Sequence, residues 1–221
     1  MIKMSEIKFL CVLVGIMLFV SISHADPLPP SHSDDRWQDL ASVLWSVDNG
    51  TTWGNSALRV GDEVKFQFVM HKDYKGTHYA DFLKAWIDWD NQDGFEADES
   101  IIFEKHVVWE NYKGNSFPGA NVEENYTYMT EGLTLTNAHL GDHYLLARVT
   151  CSDSLSGGPW AAQWGPGIDY NELFDPSKPY YQGEAEIYKL TVAPVPEPAT
   201  MLLFGAGLVG LVAARRRKKA C

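Results

Sequence analysis

The densest chemistry in this sequence lies between Asp88 and Glu99. Six carboxylates, Asp88, Asp90, Asp93, Glu96, Asp98 and Glu99, fall within twelve consecutive residues. Ionised carboxylates at this density repel one another unless a cation sits among their oxygens. Calcium accepts roughly six to eight oxygen ligands in a flexible shell, and a tight glycine turn brings alternate side chains together. The expected calcium ligands are Asp88, Asp90, Asp93 and Glu99, with Asp98 in reserve and Gly94 at the turn. A solvated acidic hairpin loop is the alternative.

The spacing approaches that of an EF-hand loop. Counting Asp88 as position one puts Asp90 third, Gln92 fifth and Glu99 twelfth. Gly94 then falls seventh, one place late for that motif, and the flanking pattern is strand-like. The loop therefore reads as a strand-borne calcium turn.

Other chemistry is sparse. The sequence has no His-Glu-x-x-His, no Gly-x-Ser-x-Gly and no phosphate-cradling glycine loop. No catalytic residues are assigned, and the chain is expected not to be an enzyme. A secreted polysaccharide hydrolase built on paired carboxylates stays as an alternative, because acids are abundant everywhere. His71 and His78 flank Lys72–Thr77 and could chelate a metal together with Asp73. Ser152–Gln182 is rich in glycine and proline and holds Trp160, Trp164, Tyr170, Phe174, Tyr180 and Tyr181. Loops this long inside a domain are usually functional or disordered, and six aromatics argue against disorder. Trp160 and Trp164, with Trp53 and Tyr180, could form a sugar-stacking platform, which makes a carbohydrate-binding module the other alternative. The reading preferred over it is that these rings anchor the loop to the body.

The elements that must position these residues are short β runs. Val43–Val47 ends at the turn signal Asp48-Asn49-Gly50. Val64–Met70 alternates, and Phe82–Trp89, Ile101–Trp109, Val122–Met129, Leu133–Thr136, His143–Cys151 and Glu186–Val192 follow. About eight strands without a convincing internal helix predict an all-β, antiparallel β-sandwich over 43–193. Leu133–Tyr144 resembles the tyrosine corner of immunoglobulin-like sandwiches, in which Tyr144 would bond back to the preceding turn; an ordinary half-buried strand Tyr is the alternative, since Asn137 or His139 stands where that corner has an Asp.

Both ends carry addresses. Lys3 and Lys8, the apolar run Phe9–Ile22 and Ser23-His24-Ala25 predict a secretory signal peptide over 1–25, cut before Asp26. Residues 26–42 read as a flexible lead-in. At the other end, 194–221 comprise Val195-Pro196-Glu197-Pro198, the uncharged run Ala199–Ala214 and the basic cluster Arg215, Arg216, Arg217, Lys218 and Lys219. As a helix that run rises ~24 Å, and its glycines are those a membrane helix tolerates. The basic cluster belongs on the cytoplasmic side as a membrane stop. Of the three cysteines, only Cys151 lies outside both ends. The exported body would then have no internal disulfide, so packing or metal must hold it together. Setting aside Lys3, Glu6, Lys8 and the five tail bases leaves 11 basic against 28 acidic residues. Such a body excludes a nucleic-acid partner and suits divalent cations.

Two family resemblances follow from these residues. The order Pro196-Glu197-Pro198, glycine-rich apolar segment and Arg215–Lys219 resembles the PEP-CTERM sorting tail of Gram-negative bacteria. That resemblance implies recognition by exosortase, removal of the tail, and delivery to the cell surface or extracellular matrix. The stretch Trp86-Ile87-Asp88-Trp89-Asp90-Asn91-Gln92-Asp93-Gly94-Phe95 and the later Gly183-Glu184-Ala185-Glu186-Ile187-Tyr188 resemble the two signature motifs of the GEVED domain. The chain departs from it at Ala185 and Ile187, by one extra residue before Asp93, and by lacking an acid after Gly94. The resemblance implies a β-sandwich module of exported proteins, with no established catalytic activity to carry over. Taken together, the sequence predicts an exported protein with a structural or adhesive role, its expected partners extracellular polysaccharide or surface proteins.

Overall fold

The structure is a computed structural model that describes residues 37–73, 78–92, 94–108, 123–157, 167–195 and 206. The expected signal peptide, most of the lead-in, Asp93, Trp160, Trp164, Pro196–Pro198 and Arg215–Lys219 lie outside the described residues.

Two sheets face each other. The first has β1 (Gln38–Ser46), β3 (Glu63–Lys72) and β6 (Glu124–Met129) in that order, with β7 (Leu133–Thr134) also paired to β3. The second runs β2 (Leu58–Arg59), β9 (Glu184–Ala193), β8 (Gly141–Cys151), β4 (Ala80–Asp88) and β5 (Ser100–Val107). All pairings within these sheets are antiparallel except β2 with β9. The alternation of strand side chains decides what lies between the sheets. Val64, Phe66, Phe68 and Met70 of β3 meet Leu83, Ala85, Ile87, Leu145, Ala147 and Val149 in one apolar core.

β4 does not alternate, because all nine of its residues are buried. The outward-facing Phe82 and Trp86 are covered by a third layer that includes Leu155, Tyr170, Phe174 and Tyr180. Two four-residue helices form there, α1 (Ser152–Leu155) and α2 (Tyr170–Leu173). They lie in the stretch expected to be loop. Tyr170 packs on Phe82 at 4.5 Å, and Phe174 meets Trp86 edge-on at 5.6 Å.

Other differences are local. β1 starts at Gln38, five residues ahead of the expected Val43, because Gln38 and Leu40 pair with β3 and are buried. A bulge between Leu40 and Ser42 interrupts the alternation there and hides the strand from a period-two reading. The Asp48-Asn49-Gly50 turn forms with Asn49 and Gly50 at φ of 60° and 83°. Asp48 accepts from Ser46 and Thr52, which hold its carboxyl down at about 2. His143, at the start of β8, ties back to the preceding turn, its Nε2 donating to His139 O at 3.0 Å. Tyr144, of which such a tie was expected, is half-buried beside it in β8.

Candidate functional site

Asp88 ends β4, and the chain then turns through Asn91 at φ 56° and Gly94 at φ 84° into a single 3-10 turn, Ala97–Glu99. Each acid is fixed by backbone N–H groups. Asp88 Oδ1 accepts from Asn91 N at 2.6 Å, and Asp90 Oδ1 from Gln92 N at 3.0 Å. Glu99 accepts from Trp89 N at 3.2 Å and from Glu96 N at 2.9 Å. These bonds fold Glu99 back over the turn. Asp88, Asp90 and Glu99 thereby bring carboxylate oxygens within 4.8 Å of one another. Oxygens bound to one calcium at ~2.4 Å can stand at most ~4.8 Å apart, so the three fit a shared ion of that size.

The turn is also docked onto the body. Asn91 Nδ2 donates to Asp142 O at 3.0 Å. Trp89 packs against His139 and His143 at 4.5 and 4.9 Å. Burial raises the Asp88 carboxyl above its ordinary range, and the nearby Asp90 charge adds to the shift. Burial likewise raises Glu99, with the charges of Asp88 and Asp90 pushing the same way. Three of the four expected ligands therefore meet, and the fourth, Asp93, lies outside the described residues.

The expected His71–Asp73–His78 chelate does not form. His71 faces Asp39 and Glu123 at 3.2 and 3.4 Å, whereas His78 turns to Asp81. His71 lies within β3, where it faces away from the core, and His78 stands two residues before β4, fully inside. The aromatic platform is dismantled in part as well. Tyr180 is buried, with Arg148 stacked over its ring at 4.4 Å.

Arg148 was not singled out in the sequence. Its guanidinium is fully buried in β8 and donates to the carbonyls of Asp175 and Pro176 at 2.9 Å and of Lys178 at 2.8 Å. The signal was available, because Tyr144–Val149 is otherwise uncharged. A lone cation in a buried strand needs acceptors, and here the 167–182 segment brings them.

Beyond the last strand the chain changes character. β9 ends at Ala193, and residues 194–218 match the PEP-CTERM protein-sorting motif. No curated protein matches the chain. The motif supports an exosortase substrate, exported and anchored in the membrane before processing. Among the described residues no helix is long and apolar enough to cross a membrane, and nearly all of the matched tail lies outside them.

Proposed function

We propose that the chain is an exosortase-sorted protein of the cell surface or extracellular matrix, whose sandwich has a structural or adhesive role without catalysis. The carrying observation is the sorting motif at 194–218, joined almost directly to β9. In this reading residues 1–25 are a cleaved signal peptide and Ala199–Ala214 is a transient membrane segment. Mass spectrometry of surface material should find mature C-termini lacking Arg215–Lys219. A surface-located product that still carries them refutes processing.

The GEVED-type reading is supported by the structural work its two motifs do. Trp86 fills the layer under α2, and Gly183 permits a close crossing at the start of β9. Calcium in the Asp88–Glu99 turn is the second part of the proposal, carried by the three converging carboxylates. Millimolar calcium should raise the Tm of the purified protein, and Glu99→Gln should remove that rise. An unchanged Tm in wild type sinks the calcium reading.

The pH dependence follows from the two raised carboxyls. A native acid with a raised pKa holds its proton where the unfolded acid has lost it. Without metal, stability therefore falls as pH rises from the ordinary carboxylate range through the raised values of Asp88 and Glu99. Calcium needs the ionised forms, so its stabilisation should grow over the same window. Melting curves with calcium and with chelator, between pH 4 and 7 or about that range, should diverge upward with pH.

A further inference from the structure

The outer face of the second sheet holds a buried cation. Lys84 of β4 alternates with Phe82 and Trp86, so it projects from the same face as those rings. It pairs in register with Phe103 of β5. Its ammonium lies 5.3 Å from the Trp86 ring centre and 5.9 Å from that of Phe103. Lys84 is only 4 % exposed. Its Nζ donates to Asn171 O at 2.9 Å and to Phe174 O at 3.3 Å, which pins α2 over β4. An ammonium has three N–H groups, and these two bonds leave one over.

Beside this lysine, α2 and β5 bound an open cleft of about 550 Å³. Lys84 lines it together with Ser100 and Phe103 on the β5 side and Asp169, Asn171 and Glu172 on the α2 side. Phe103 stacks on Phe82 at 5.8 Å, is half-buried, and gives the cleft an apolar patch. Asp169 caps α2, its Oδ1 accepting from Asn171 N and Glu172 N at 3.0 and 3.2 Å. The Asn171 amide and the Glu172 carboxylate are exposed and make no side-chain hydrogen bond among the described residues. A concave site of this size, with an apolar patch and a few convergent polar groups, has the form of a small-molecule pocket.

The lining defines the ligand. Lys84 and the Asn171 amide donate, while Asp169, Glu172 and the Asn171 carbonyl oxygen accept. Mixed donors and acceptors around an apolar patch suit a ring that has an apolar C–H face and a rim of hydroxyls, since each hydroxyl both donates and accepts. Charge narrows the class further. Two carboxylates face one ammonium, so an anionic ligand is repelled, and a cationic one meets Lys84.

We propose that this cleft binds a neutral sugar of an extracellular polysaccharide, with Asn171 and Glu172 holding ring hydroxyls and Phe103 against the C–H face. The site rests on the adhesive role proposed for the sandwich and gives that role a place and a ligand class.

The test uses the full-length chain in a detergent whose headgroup is not a sugar. Calcium is kept present, because Ser100 of the cleft directly follows Glu99 of the acidic turn. Calorimetric titration with neutral oligosaccharides of glucose, galactose and mannose should find binding to at least one. Asn171→Ala and Glu172→Ala should each weaken it about tenfold. Both side chains are exposed, so the Tm should not move. Glu131→Ala, exposed between β6 and β7, should leave the affinity unchanged. Oligogalacturonate should not bind. The proposal is overturned if no neutral oligosaccharide binds, if both cleft variants bind like wild type, or if the uronate binds equally well. Co-sedimentation with extracellular polysaccharide of the producing cells separates the cleft from adhesion in general. Wild type and both variants sedimenting alike leaves the protein adhesive and refutes the cleft. A wild type that stays in solution refutes the cleft's ligand and adhesion to polysaccharide together.

Discussion

Replacing Arg148 with methionine is expected to destabilise the folded protein by about 3–5 kcal/mol. The guanidinium sits inside β8 and satisfies three carbonyls of one short loop, those of Asp175, Pro176 and Lys178. Methionine fills part of the volume and leaves those acceptors buried without donors, at about 1–3 kcal/mol each. The relief of no longer burying a charge offsets some of this. Burial lowers the Arg148 pKa to about 10, so the wild-type side chain stays charged at neutral pH. Arg148→Lys keeps the charge but not the planar fork, and it should recover only part of the loss. Because Phe174 and Tyr180 ride on the same segment, the third layer should loosen first. Urea unfolding gives the total effect, and limited proteolysis between 167 and 182 locates it. A methionine variant within about 1 kcal/mol of wild type, with an uncut segment, refutes this account.

Gly183→Ala is the second large effect. Gly183 has φ 111°, and a β-carbon there would stand 1.9 Å from Val149 O and 2.8 Å from Val149 C. Those are backbone atoms of β8, the strand that β9 pairs with from Glu184 onward. The clash cannot be relieved by a side-chain rotation, so the register of β8 and β9 must give. A loss of roughly 4 kcal/mol or more, or failure to accumulate folded protein, is expected. Gly94→Ala is the internal control. Its φ is 84°, but nothing lies within 4 Å of the added carbon, so only the backbone preference of about 1 kcal/mol is at stake. Equal destabilisation by the two substitutions would show that Gly183 matters for its torsion alone.

These two positions mark what the sequence discloses and what it hides. The strands were legible where one face is wet, as in Val64–Met70, whose alternation matches the burial pattern of β3. β4 was legible as a strand, but its full burial reports a third layer that no periodicity encodes. The acidic turn was found because six acids in twelve residues are a compositional event. Asp88, Asp90 and Glu99 do meet there, through backbone bonds that follow from the turn rather than from the spacing. The partners of Arg148 were invisible because they come from a segment some thirty residues further along the chain, and long-range pairing leaves no local pattern. The two-residue β2 was missed for the same reason, since its pairing with the distant Val192 and Ala193 is all that makes it a strand.

The place where β9 stops fixes how the domain is held up to its surroundings. Val192 pairs with Gly141, and Tyr144, three residues further along β8, pairs with Asp88. The chain thus exits beside the acidic turn. Five residues lie between Ala193 and Ala199, and the six steps reach ~20 Å at most when fully extended. Asp88, Asp90 and Glu99 therefore lie at the end of the sandwich from which the sorting tail departs, and Gln38 and Gly183 lie toward the other end.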